Sequence, residues 1–305
     1  MKLRRTISLA GAAGLALTLG STLAPANAAV ADANAPCSLH LGSVTAAGAH
    51  TSRVITAGAS PTVGAVRTTA GVYQPGQVKH TTTFSFVPKP VGDLRAGMTV
   101  FGGALYNTGY GTRANGDLDP NHPLVQRRVG GGWSDWRWIE QSVHKPAGST
   151  QPLRSTLYAQ NTGGTFHRWT KENGAWRSTG GIGGLTTMKS FTLISRSLTH
   201  DTFLANNRNG GLYTVRIPTS QPFSPQGTPV RTATWQGLDQ LIAAPCGAAG
   251  TVLLGIDRDT KSAYLYTLGH ASGTSTVIKG LGKVPGTFAD PHYFRFAPDH
   301  DTLNG

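Results

Sequence analysis

An all-β fold built from repeated units is what this chain of 305 residues predicts, on three observations. Glutamate, a strong helix former, occurs only at Glu140 and Glu172, whereas 40 Gly and 18 Pro supply turns. The stretch from Thr156 to Phe166 recurs without gaps from Thr202 to Leu212. Further copies follow at a mean spacing of about 50 residues, the length of a propeller blade. Short strands at that period, with no helices between them, predict a single β-propeller.

The chain opens on a secretory leader pattern. Lys2, Arg4 and Arg5 form a basic region, Ile7 to Leu19 an apolar one, and Ala26-Asn27-Ala28 a small-residue cleavage site. Ser21, Thr22, Pro25 and Asn27 interrupt the apolar run, so a signal peptide over 1–28 is expected rather than a membrane anchor. The mature chain would be 29–305, a secreted propeller domain, and no later apolar stretch is long enough to insert in a membrane.

Within the two aligned copies Thr, Ala, Asn and Gly coincide, and each reads as strand, polar turn, strand. Related starts, taken at the apolar residue that follows, fall at Val54, Val100, Leu157, Phe203, Val252 and Leu303. Trp133 to Ile139, Phe191 to Ile194 and Leu238 to Ile242 read as inner strands entering new units. The incomplete last copy predicts a ring closed by strands from both chain ends, with His292 to Asn304 joining the region Leu39 to Phe86. Five blades are expected, or six if Val54 begins one of its own. A β-sandwich, the competing fold, would show shorter turn spacing without a long-range copy.

The formal charge is +13, and +10 without the leader, which carries three basic residues and no acidic ones. Such a surface suits acidic partners. Arg127-Arg128 is the one adjacent basic pair of the mature chain, and no run of the nucleic-acid type occurs, so no nucleic acid is expected. The two cysteines, Cys37 and Cys246, could form a disulfide in an exported chain or remain as buried thiols.

The run Leu157-Tyr158-Ala159 to Gly164, followed by Phe166-His167-Arg168-Trp169 and Asn173-Gly174-Ala175-Trp176, resembles the repeat of tachylectin-type five-bladed propellers and their bacterial relatives. Gly132-Trp133-Ser134-Asp135-Trp136 is similar to the Gly-Trp turn before that family's inner strand. The resemblance extends over 98–305 and is clearest from 130 to 268. It implies a lectin that binds N-acetylated amino sugars between blades. The repeats here are unequal, and the Gly-Trp turn is intact once.

Catalytic signatures are absent from the sequence: no Gly-x-Ser-x-Gly elbow, no His-Glu-x-x-His, no phosphate loop and no Cys-x-x-Cys. Gly109 to Ala114 matches a dinucleotide fingerprint in form, but Asn115-Gly116-Asp117 follows where a helix must begin. Asp117-Leu118-Asp119 and Asp257-Arg258-Asp259 lack the remaining ligands of a calcium loop and read as turns. Asp135, Asp201, Asp239 and Asp290 recur at similar repeat positions, which favours a turn role over catalysis. No catalytic residue, metal or cofactor is therefore assigned. Aromatics are the better lead, because sugar rings pack their apolar faces on exposed indoles. Trp136 and Trp138 alternate on a strand and read as core, leaving Trp133, Trp169 and Trp176, with turn-borne Asn161 and Asn207, as ligand-binding candidates. The expectation is a secreted, monomeric, non-enzymatic propeller that binds a glycan or cell-surface polymer, N-acetylated or acidic. A protein-binding scaffold and a glycoside hydrolase or lyase acting at the channel are the alternatives.

Overall fold

The computed structural model describes residues 36–146, 149, 151–248, 250–299 and 303, and the leader expected over 1–28 lies outside them. Strands β1 (Ser38–Val44), β2 (His50–Thr56), β3 (Thr62–Val63), β4 (Arg67–Thr69), β5 (Val78–Thr81), β6 (Phe84–Pro88), β7 (Asp93–Phe101), β8 (Ala104–Gly111) and β9 (Val125–Gly131) come first. Three four-stranded antiparallel sheets then follow in chain order. They are β10 (Trp136–His144) to β13 (Ala175–Ile182), with β11 (Arg154–Asn161) and β12 (Phe166–Glu172) between; β14 (Met188–Arg196), β15 (His200–Asn207), β16 (Leu212–Pro218) and β17 (Gln226–Arg231); and β18 (Gln240–Cys246), β19 (Gly250–Asp257), β20 (Ser262–Leu268) and β21 (Ile278–Lys283). The last strand, β22 (His292–Pro298), joins β1 to β9 in a ten-stranded sheet of order β3-β2-β1-β22-β6-β7-β8-β9, with β4 on β2 and β5 on β7.

That large sheet has two arms. In one, β22 pairs antiparallel with β1, so strands from both ends of the described chain share a sheet. In the other, β5 and β6 both pair with β7, and β8 and β9 follow outward. A short parallel pairing of β22 with β6 joins the arms.

The leading strands run in step around an axis. Thr83 bonds Glu140, Ser190 Oγ accepts from Leu241 N–H, and Thr192 Oγ1 accepts from Ala243 N–H. Contacts close the circle: β5 with β10, β10 with β14, β14 with β18, β18 with β22, and β22 with β5. The chain is a β-propeller. Its core is divided among five clusters, each in a gap between neighbouring units. Leu157 and Ile139 meet Val100 and Leu105; Tyr158 and Phe166 meet Phe191 and Phe203; Leu204 meets Leu253; Ile242 and Val252 meet Leu39 and Ile55; Phe294 and Phe296 meet Phe84 and Tyr110. Each such side chain contributes about 1.5–3 kcal/mol on burial.

The repeat has a physical cause at the residues that coincide. Asn161 Oδ1 accepts from Thr165 N–H and Asn207 Oδ1 from Gly211 N–H, fixing each hairpin turn. Gly164 and Gly210 follow at φ +78° and +90°, and a Cβ there would collide with the backbone of Thr186 or Thr234 in the loop entering the next unit. Asp257 replaces the asparagine at the third hairpin and accepts from Asp259 and Thr260 N–H. Val100, Leu157, Phe203 and Val252 lie on second strands, β7, β11, β15 and β19, whereas Val54 lies on β2, third in the order β22-β1-β2. Leu303 itself is not in a strand; it packs in the cluster of Phe191 and Leu193. Nor are the four aspartates equivalent. Asp135, Asp239 and Asp290 shortly precede leading strands, whereas Asp201 lies in β15, buried beneath Arg154, Tyr158 and Ser142. Cys37 and Cys246 are joined by a disulfide, which ties the approach to β1 to the end of β18.

Candidate functional site

Four indoles gather in the gap between β9 and the β10–β13 sheet. Trp133 and Trp136 have ring centres 5.1 Å apart, Trp133 and Trp169 5.4 Å, and Trp136 and Trp169 5.2 Å. His167 lies 5.1 Å from Trp136 and 5.6 Å from Trp169, and Trp176 packs against the same cluster from β13. Trp133, expected as an exposed contact, is instead 7% exposed among Met98, Val100, Leu105 and Leu157, where its ring is the floor of the group. Trp136, Trp169 and Trp176 are half-buried and present ring surface.

A β-bulge explains why Trp136 belongs here and not in the core with Trp138. Trp136 pairs with Asn161 and Trp138 with Gln160, leaving Arg137 unpaired between them. Adjacent partners on β11 face opposite sides, so the two indoles do as well. Trp138 faces Phe166, Phe191 and Phe203, while Trp136 faces Trp169. The N–H of Trp136 donates to Gly132 O, whereas among the described residues those of Trp169 and Trp176 donate to no protein acceptor. Gly130, Gly132 and Gly174, near these rings in sequence, have open space where a Cβ would stand. Asn207 lies on another unit and shares no site with these indoles; both candidate asparagines have their carboxamide oxygens engaged in turns.

Along the axis runs a second concavity, of about 310 Å³, lined by the leading strands. At the end where those strands begin stand Arg137, Lys189, Asp239, His80 and His292, joined by Arg208 and Arg258 from the β15–β16 and β19–β20 turns. Bulges lift Lys79, Arg137 and Lys189 out of their ladders, and each reaches the loop that enters the next unit. Lys79 donates to Ser134 O, Arg137 to Leu185 O and Met188 O, and Lys189 to Gln236 O and Asp239. Gln240 donates to Tyr293 O, and His80 Nε2 donates to Trp136 O. The mouth is thus laced by side-chain-to-backbone bonds between neighbouring units.

Burial pushes His80 and His292 down to about 4, the like charge of His292 adding to the first and Arg258 to the second. Deeper in, Glu140 accepts from Thr83 N–H, Thr83 Oγ1–H and Gln141 N–H; burial raises its pKa, against those bonds and the charge of Arg295. Glu140 and Asp239 are the carboxylates lining the channel among the described residues, and Asp239 is committed to Lys189 and to the N–H of Arg258. The basic mouth had no signal in spacing, because its members come from strand beginnings and hairpin tips of different units.

No protein-family model and no curated protein sequence matches the chain. Solved structures do. The backbone is similar to that of the α-L-arabinofuranosidase PaAbf62A from Podospora anserina in complex with cellotriose, with TM-score 0.45 and 13% identity, covering 77% of this chain and 79% of that one. A mutant of Aleuria aurantia lectin in complex with α-methyl-L-fucoside gives TM-score 0.44 and 12% identity, covering 80% and 78%. AofleA from Arthrobotrys oligospora gives 0.41 and 11%, covering 83% and 90%. At these identities and scores the likeness adds nothing to what the chain's own sheets establish.

Proposed function

We propose that this protein is an exported five-bladed propeller that binds a carbohydrate in the indole-lined gap beside β9 and catalyses no reaction on it. Five leading strands in the ring and five interunit clusters support the blade count. The observation that carries the binding reading is the pair Trp169 and Trp176. Each combines a half-exposed ring face with an indole N–H that no group among the described residues takes up. A sugar ring can lay its C–H face on the indole while a hydroxyl accepts from the N–H. Trp133 holds the site by packing beneath it, and its substitution would act through the core.

The test is a glycan-array screen of the mature chain at high salt, followed by titration of the best ligand with tryptophan fluorescence. Saturable binding to neutral or N-acetylated sugars is expected, with Trp169→Ala and Trp176→Ala each weakening it roughly five- to tenfold, about 1–1.5 kcal/mol per lost stack. Affinity unchanged in both variants, with their folds intact, would sink the assignment. Binding to acidic glycans alone that vanishes with salt would replace it by a diffuse charge effect.

A further inference from the structure

We propose that the mouth of the axial channel is a separate binding site for a small hydroxyl-bearing ligand that carries one oxyanion, held between Arg208 and Arg258. The cations at this mouth differ in what they already hold. Lys189 is ion-paired to Asp239 at 2.7 Å, and Arg137 donates to Gln160, Leu185 and Met188. Arg208 gives one nitrogen to Thr186 O and makes no ion pair among the described residues. The Arg258 guanidinium has neither hydrogen bond nor ion pair among them; its charge acts on His80 and His292. Both arginines are exposed at the tips of neighbouring hairpins and line the same cavity. A guanidinium carries five N–H donors, so the pair leaves most of its donors for an incoming anion.

A second observation lies deeper in the channel. Thr81 Oγ1 and Gln240 Oε1 are buried against it and have no hydrogen-bond partner among the described residues. Buried polar atoms are ordinarily satisfied, and two orphans lining one concavity call for a polar guest. Gln240 Oε1 needs a donor, which an oxyanion cannot supply and a hydroxyl can; Thr81 can donate or accept. The ligand class that meets both ends is an acidic sugar or hydroxy acid: oxyanion at the rim, hydroxyls below. Its size matches a cavity of about 310 Å³.

Isothermal titration calorimetry of the mature, disulfide-bonded chain, at constant ionic strength set with chloride, tests this with three probes: glucuronate, inorganic sulfate and glucose. Glucuronate is expected to saturate and to bind about tenfold or more tighter than glucose. The double variant Arg208→Ala/Arg258→Ala, at two exposed turn positions, is expected to lose that binding while melting as the parent does. Trp169→Ala should leave it unchanged, which separates this site from the indole gap. Sulfate binding as tight as glucuronate would overturn the ligand class, since the hydroxyls would then contribute nothing. Absence of saturable binding by either anion, equal affinity for glucose, or full retention in the double variant would overturn the proposal.

Discussion

The arm that closes the ring is held differently on its two sides. Toward β18–β21 it meets a mainly aliphatic gap, Leu39, Leu41 and Ile55 against Ile242, Val252 and Leu254 with Phe288 and Tyr293 beside them, locked by the Cys37–Cys246 disulfide. Toward β5–β9 the gap is aromatic, with Phe294 and Phe296 against Phe84 and Tyr110, and the lock is the parallel pairing of β22 with β6. Among the described residues four histidines stand on this second side and none in the first gap. His50 is enclosed by Tyr73, Phe84, Tyr110 and Phe294; His40 packs on Phe86 and Phe296; His80 and His292 face each other at 5.9 Å. One side of the closure therefore depends on oxidation and the other on protonation.

Acid should break the second side, and this is the largest effect expected. Burial holds His40, His80 and His292 at about 4 and His50 at about 3, all below histidine's ordinary 6.5, with the charge of Arg95 adding at His40 and His50. Between about 4 and 6.5 the unfolded chain thus binds more protons than the folded one. Stability rises with pH across that window and is lost on acidification through it, by about 1.4 kcal/mol per pH unit for each proton taken up. Hydrogen exchange at falling pH should show β6 and β22 losing protection before β18 and β19. Uniform loss across all sheets would mean that the aromatic gap is not the acid-labile one.

The disulfide is the next largest. It spans 209 residues, and the loop-entropy account gives such a crosslink about 5 kcal/mol. Cys246→Ser should lower the unfolding free energy from denaturant titration by that order at neutral pH while leaving the acid profile's shape alone, since the histidines lie across the arm. A loss under about 1 kcal/mol would show that the aliphatic gap needs no lock.

Much of this architecture was legible in the chain because local chemistry writes it. Asn161 and Asn207, with Gly164 and Gly210, mark hairpins because the turn demands an acceptor and a left-handed residue, and both demands leave a trace in sequence. The second strands were found for the same reason, since they lead directly into those turns. Three features left no such trace. The bulge at Arg137 is a matter of pairing, invisible in an alternating Trp-x-Trp, and it moved Trp136 from the core reading into the indole group. Arg208 and Arg258 meet only through the ring. His40, His50, His80 and His292 are scattered because the gap they share is made by the two chain ends, so no spacing rule could gather them.

The smallest effect should be the most discriminating. His50 Nδ1 bonds Tyr110 Oη at 2.6 Å, while its Nε2 is buried without a partner among the described residues. His50→Gln removes a ring that acid must charge inside an aromatic box and offers Tyr110 another hydrogen-bonding group. At neutral pH the cost should be about 1–3 kcal/mol, that of disturbing one buried bond. In acid the comparison reverses: the variant has one proton fewer to take up on unfolding, so its stability should fall less steeply below pH 6.5, by about 1.4 kcal/mol per unit. Wild type and variant should therefore converge and then cross as pH is lowered. Parallel stability curves would mean that His50 packs as an ordinary aromatic ring and that the acid lability of this gap lies with His80 and His292 at the mouth.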